Sequence, residues 1–301
     1  MTRAVVFAYH NVGVRCLRVL LAQGVDVALV VTHQDNPNET IWFDSVAATA
    51  AEYGIPTVMP EDPNTPEFIA RLQDLRPDFL FSFYYRLMLK PAVLESATRG
   101  AYNMHGSLLP KYRGRVPVNW AVLHGERTTG ATLHRMVEKP DAGEIVAQQA
   151  VPILPDDTAH EVFGKVTLAA EMALNDVLPA LRAGTAPHVM PNLAAGNYFG
   201  GRKAEDGRID WTKSAREIHN LVRAVAPPYP GAFCDLPGGR RLRVLRSLPA
   251  PHRAPCHGTP TLYCSGGDVL VDCADQRVLH LIAWDGDWDG AEVDLGATGA
   301  N

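Results

Sequence analysis

Two short stretches of the chain gather side chains that could move protons and steady developing charge. The first is Asn103-Met104-His105-Gly106-Ser107-Leu108-Leu109-Pro110, continuing into Lys111-Tyr112-Arg113-Gly114-Arg115. The second is Lys139-Pro140-Asp141-Ala142-Gly143. Strand alternation puts Asn103 and His105 on one face, two residues apart. An imidazole exchanges protons near neutral pH, and an amide N–H can steady an oxyanion, a pairing that suits acyl transfer. Asp141 could reach His105 from a loop, favour its imidazolium and fix its tautomer. Taken singly, the same features also read as ordinary structure: Asn-x-His as a half-buried pair, Asp-x-Gly as a turn.

Positioning these groups requires a sheet. Short apolar runs alternate with amphipathic stretches through the first half, the pattern of βαβ units and a parallel sheet. Strands are expected at Ala4–Ala8, Val27–Val31, Pro56–Met59, Asp78–Phe83 and Ala101–His105. Helices are expected at Gly13–Gln23, Trp42–Tyr53, Pro66–Leu75 and Val118–His124, the last behind Pro117, a good first-turn residue. Asn103 and His105 then fall at the C-terminal end of a strand, the edge where open α/β sheets place their sites. Ala131–Val137 and Glu144–Val151 form an antiparallel pair closing the sheet, with Asp141 in the loop between them. Thr158-Ala159-His160-Glu161 is a capping box opening a long helix that ends at Gly184.

From about Gly184 the pattern dissolves into Pro, Gly, Asn and charged residues, a linker. Ser214–Val225 is a further helix, which Pro227-Pro228-Tyr229-Pro230-Gly231 cannot continue. Short strands follow at Ala232–Cys234, Arg241–Leu245, Thr259–Cys264, Val269–Asp272 and Val278–Ala283. The expected fold class is α/β. A Rossmann-like, mostly parallel N-terminal domain occupies 1–190, a linker 191–206, and a smaller β-rich, open-barrel, OB-like domain 207–301.

Composition narrows the class. With 301 residues, 47% of them hydrophobic and 20% charged, the chain can bury a core. No apolar run spans a bilayer, and the N-terminus reads as a strand rather than a signal peptide. A soluble cytoplasmic enzyme without membrane contact is expected. Twenty-eight Lys and Arg against 33 Asp and Glu, a net charge of −5, argue against nucleic acid as a partner. Arg240, Arg241, Arg243 and Arg246 do not reverse this. From Gly207 onward ten basic residues face eleven acidic ones, so a solvated strand face is the plainer reading. Five cysteines without a C-x-x-C indicate neither zinc nor a disulfide framework. Ala8-Tyr9-His10-Asn11-Val12-Gly13 carries one glycine where a dinucleotide fingerprint needs three, and no phosphate loop is present.

Together, Asn103, His105-Gly106-Ser107-Leu108-Leu109-Pro110, Gly114 and Asp141-Ala142-Gly143 resemble the folate-dependent formyltransferases. Most of the chain is covered. Phe7–His10, Thr32–Pro37, Phe81–Arg86, Lys111–Arg115 and Thr132–Met136 narrow the likeness to one subgroup. This is the formyltransferase part of the bifunctional enzyme that acts on UDP-4-amino-4-deoxy-L-arabinose in lipid A modification and polymyxin resistance. The resemblance implies Asn103, His105 and Asp141 as catalytic residues and 10-formyltetrahydrofolate as co-substrate, with no metal. It places the folate against Leu87, Met88, Leu89, Arg115 and the loop Val137, Glu138, Lys139, Pro140 and Asp141. Core packing is the plainer reading of Leu87–Leu89 from sequence alone. Tyr84, Tyr85, Arg86, Lys111 and Arg113 are candidates for holding the acceptor, a nucleotide-linked amino sugar. His33 and Asp35 stand in a strand-end loop without an assigned role.

The bifunctional relative carries a decarboxylase domain for which this chain has no room, so an excised domain or a free-standing enzyme is expected. A dTDP- or GDP-linked 4-amino sugar stays open as acceptor, as do the oligomeric state and a separate decarboxylase partner. The nearest rival is methionyl-tRNA formyltransferase, disfavoured by the acidic balance and by His-Gly-Ser. A non-catalytic binding module and a 10-formyltetrahydrofolate hydrolase are weaker alternatives.

Overall fold

The computed structural model describes residues 1–37 and 39–296, so the last five residues of the expected C-terminal domain lie outside the described part. Two compact units form. The first comprises Met1–Pro117, Thr128–Pro152 and Gly164–Gly200; the second comprises Val118–Arg127, Ile153–Phe163 and the chain from Gly201.

In chain order the first half runs β1 (Arg3–Ala8), α1 (His10–Ala22), β2 (Asp26–Val31), α2 (Val46–Glu52), β3 (Thr57–Val58), α3 (Pro66–Leu75) and β4 (Phe79–Phe83). Then come α4 (Pro91–Leu94), β5 (Gly100–His105), β6 (Arg113–Gly114), α5 (Pro117–Leu123), β7 (Thr128–Arg135), β8 (Ile145–Pro152) and α6 (Ala159–Ala183). Seven of these strands make one sheet in the order β3-β2-β1-β4-β5-β7-β8. Pairing is parallel from β3 to β5 and antiparallel at β5–β7 and β7–β8. Strand order reverses between β1 and β4, the switch point beside which such sheets bind ligands. β1 and β4 are buried along nearly their whole length, with Phe7, Phe79, Phe81 and Phe83 among the largest fully buried side chains. Strands covered on both faces read as continuous apolar runs for this reason.

Local chemistry sets the helix ends. Thr65 caps α3, with Pro66 in its first turn, and Thr158 and Glu161 exchange capping bonds ahead of α6. One expectation needs correction. The helix predicted from Trp42 begins at Val46, because the Ser45 hydroxyl accepts from the Ala48 N–H and caps it there. Trp42 and Phe43 are drawn off instead to pack around the His10 ring, Phe43 stacked at 3.9 Å and Trp42 edge-on at 4.6 Å between centroids. The stretch expected as a linker also holds structure: β9 (Tyr198–Phe199) pairs in parallel with β6.

The second unit carries α7 (Ala215–Ala224), capped by a Ser214–Glu217 box, and six strands. These are β10 (Ala232–Leu236), β11 (Arg240–Pro249), β12 (Thr261–Ser265), β13 (Asp268–Asp272), β14 (Val278–Gly286) and β15 (Val293–Asp294). They form an antiparallel sheet, β10-β11-β14-β13-β12-β15, curled into a nearly closed barrel, with register shifts around Arg246. Ile218 and Val222 of α7 share its core with Leu242, Val244, Leu279 and Leu281. Three arginines of β11 are paired on the surface: Arg240 with Asp289, Arg241 with Asp235 and Arg243 with Asp285. Among the described residues no helix is long and apolar enough to cross a membrane.

Candidate active site

The C-terminal end of β5 carries Asn103 and His105. Its antiparallel register against β7 sets Asn103 opposite His134 and His105 opposite Thr132. His105 is buried, and its Nε2 lies 2.8 Å from the Tyr112 carbonyl oxygen. A carbonyl only accepts, so Nε2 carries the proton and Nδ1 is the nitrogen left for exchange. Nδ1 faces Asp141 Oδ1 at 3.5 Å.

Asp141 reaches this point through a left-handed turn, φ 51°, in the β7–β8 loop. Its Oδ2 accepts the Gly114 N–H at 2.9 Å. Gly114 is required there: its φ is 97°, and a Cβ would run into the Phe199 carbonyl of β9. Burial pushes the Asp141 carboxyl up. The charge of His105 beside it and the Gly114 N–H outweigh it and hold the group well below the usual carboxylate range. Asp141 is therefore a fixed anion.

His134 is the functional candidate that sequence reasoning missed. It is 2% exposed, fully enclosed beside the trio. Its Nδ1 faces the Arg135 carbonyl at 3.0 Å and so bears a proton. Its Nε2 lies 3.1 Å from Asn103 Nδ2 and 3.5 Å from Asp141 Oδ1. One nitrogen cannot accept from the amide and donate to the carboxylate at once. In the neutral ring it accepts from Asn103, orients that amide and leaves the second amide N–H for a ligand. The available signal was cross-strand alternation: His134 and Asn103 belong to neighbouring strands of one sheet face.

The other candidates divide. Arg113 is buried, and its Nε meets no hydrogen-bond partner among the described residues. Lys111 and Arg115 are exposed; the Arg115 N–H donates to the Phe199 carbonyl. Leu87 and Met88 are exposed, whereas Leu89 joins the core with Phe7 and Leu72, so core packing holds for one residue of the three. Val137, Glu138 and Lys139 are exposed, and Pro140 is half-buried. Tyr84 lies against Gly106, where a Cβ would collide with its hydroxyl. Tyr85 stacks on His33, and burial raises its phenol to about 12. Arg86 makes two 2.7 Å bonds to Glu39 and covers the Tyr9 ring at 4.6 Å, so its charge is already matched within the protein.

An imidazole facing a carboxylate beside an amide, at the C-terminal edge of an open sheet, is a geometry that can serve acyl transfer. A family model described as formyl transferase matches residues 13–178, and one for the formyl transferase C-terminal domain matches 202–283. The chain belongs to the formyl transferase family and is a formyl-transferring enzyme. Its fold is similar to that of an N-formyltransferase from Helicobacter canadensis in complex with folinic acid and dTDP-3-aminofucose. That match has a TM-score of 0.74 at 20% identity, covering 93% of this chain and 99% of that one. WlaRD, a sugar 3N-formyltransferase in the presence of dTDP and 5-N-formyl-THF, matches with a TM-score of 0.72 at 19% identity, covering 93% and 97%. A 4-N formyltransferase from Francisella tularensis matches at 0.64 and 22%, covering 80% and 95%.

Proposed function

We propose that the chain transfers the formyl group of 10-formyltetrahydrofolate to the amine of a nucleotide-linked amino sugar, and that the acceptor is UDP-4-amino-4-deoxy-L-arabinose. The observation that carries this reading is the convergence of Asn103, His105 and Asp141 at the end of β5 in a chain of the formyl transferase family. The neutral sugar amine attacks the formyl carbon, and a new N–C bond forms. The carbonyl electrons move onto oxygen, where the free Asn103 N–H and the His105 Nδ1–H steady them. Collapse of the adduct breaks the bond to the folate nitrogen. His105 gives its Nδ1 proton to that nitrogen as it leaves and then takes up the proton lost by the sugar amine, with Asp141 holding the imidazolium.

The similar structures named above with folinic acid or 5-N-formyl-THF support a folate donor, and their dTDP-containing ligands support a sugar-nucleotide acceptor. The UDP sugar itself rests on the sequence likeness in Phe81–Arg86 and Thr132–Met136. Arg113, buried without an ion-pair partner among the described residues, suits a ligand anion. The test offers purified protein and 10-formyltetrahydrofolate the UDP sugar, dTDP-4-amino sugars and methionyl-tRNA in parallel, read by mass spectrometry. Formyl on the UDP sugar alone is the expected outcome. Formylated tRNA or dTDP sugar would overturn the acceptor assignment while leaving the chemistry in place.

A further inference from the structure

A cavity of about 310 Å³ opens outside the C-terminal ends of β1 and β2, lined by Tyr9, Thr32, His33, Asp35, Ser45 and Met59 among others. It lies beside the switch point between β1 and β4 and contains none of the residues used in formyl transfer. Its volume is at the low end for a small-molecule site, room for one part of a nucleotide sugar.

The polar groups in its wall have fixed roles. The Tyr9 hydroxyl donates to Asp35 Oδ1 at 2.7 Å, and burial together with that carboxylate keeps the phenol protonated. Asp35 is exposed, and its Oδ2 meets no hydrogen-bond partner among the described residues. His33 Nε2 accepts the Arg86 N–H at 3.0 Å. Burial and the Arg86 charge lower its pKa to about 4, so the ring is neutral and its Nδ1 is a donor. Arg86 is paired with Glu39, which leaves Asp35 as the charged residue among the described residues that line the cavity. A carboxylate repels phosphate and accepts hydroxyls. In dinucleotide-binding sheets, whose glycine fingerprint this chain lacks, a carboxylate in a similar place holds ribose hydroxyls.

Spacing agrees. From β2 to β5 are three strand intervals, roughly 14 Å at the usual inter-strand distance. A nucleoside in this cavity and an amine at His105 would be separated by the length that a pyrophosphate and sugar bridge.

We infer that this cavity takes the ribonucleoside end of the acceptor, with Asp35 Oδ2 receiving the ribose 2′-hydroxyl, so that Asp35 selects ribose over deoxyribose. The assignment rests on the nucleotide-sugar reading of the acceptor. Calorimetric titration of UDP and dUDP into the wild-type protein, Asp35→Ala and Met59→Trp tests it, with folate affinity measured on the same samples. The wild type should prefer UDP by about tenfold or more, as for a hydrogen bond to a charged group. Asp35→Ala should bring the ratio near one, and Met59→Trp, which fills the cavity, should weaken both nucleotides with folate binding unchanged. Equal binding of UDP and dUDP by the wild type, or an unchanged ratio in Asp35→Ala, would overturn the role of Asp35 alone. Unimpaired nucleotide binding in Met59→Trp would overturn the cavity. Binding of neither nucleotide to a protein that still binds folate would overturn the nucleotide-sugar reading with it.

Discussion

Asn103 and His134 are direct cross-strand partners on β5 and β7, and their side chains meet at 3.1 Å beside Asp141. The amide to which the proposed chemistry gives the oxyanion is thus held by an imidazole rather than by its own strand. His134 touches no reacting atom in the proposed chemistry, so it acts as a positioning residue. Replacing it with alanine should cost about what a hydrogen bond to a charged or catalytic group is worth, roughly ten- to a hundredfold in kcat with KM little changed. His134→Gln, which can still accept from Asn103, should recover part of the loss. Steady-state kinetics of both variants provide the check. A matched fall in kcat for His134→Gln and His134→Ala would mean the ring only fills space.

Asp141 should matter for rate and for acid stability, with opposite visibility in pH. As the anion beside His105, its replacement by asparagine should lower turnover by roughly two to four orders of magnitude while folate affinity holds. Its pKa is depressed in the folded state. The stability it contributes is present above the ordinary carboxylate value near 4 and is lost as pH falls below it. Urea unfolding between pH 6 and pH 2.5 should show the wild type losing stability more steeply than Asp141→Asn. Parallel curves would deny the depressed pKa.

How far the sequence reached depends on whether the cause was local. Asn103 and His105 share a face because a strand alternates, and Thr158–Glu161 caps a helix by a four-residue rule, so both were legible. Asp141 was visible as a carboxylate in an inter-strand loop, though its left-handed turn was not. His134 escaped because only the β5–β7 register aligns it with Asn103, and register is set by pairing across thirty residues of chain. Trp42 and Phe43 have helix-compatible surroundings in sequence and are claimed by the His10 ring in space. Tyr198–Phe199 has no strand signal of its own; it is a strand because Arg113 and Gly114 offer it an edge.

Gly106 follows His105 for a steric reason that can be tested apart from catalysis. A Cβ there would occupy the position of the Tyr84 hydroxyl, on a residue itself held at φ 59°. Gly106→Ala should therefore destabilise the protein by about 1–3 kcal/mol, the usual cost of overpacking. Adding Tyr84→Phe removes the colliding oxygen and should return most of that loss. The double-mutant cycle in urea measures the coupling directly. Additive effects of the two substitutions would show that the strain lies elsewhere.

His33 makes a pH prediction of the reverse protonation type. Burial and the neighbouring Arg86 lower its pKa from 6.5 to about 4, so the fold prefers the neutral ring. In the unfolded chain the ring takes up a proton as pH falls through 6.5, and the folded ring resists until about 4. The contribution of His33 is therefore complete above pH 6.5 and is lost progressively on the way down to 4. His124 and His219 are shifted the same way by burial, so the wild-type slope alone does not isolate His33. The difference between wild type and His33→Gln does. Loss of the Tyr85 stacking adds a constant offset, while loss of the titration changes the slope. Urea midpoints measured from pH 8 to pH 4 should give a difference that is flat above 6.5 and shrinks below it. A difference that stays constant across the whole range would mean that His33 is protonated in the folded protein as readily as in the unfolded chain.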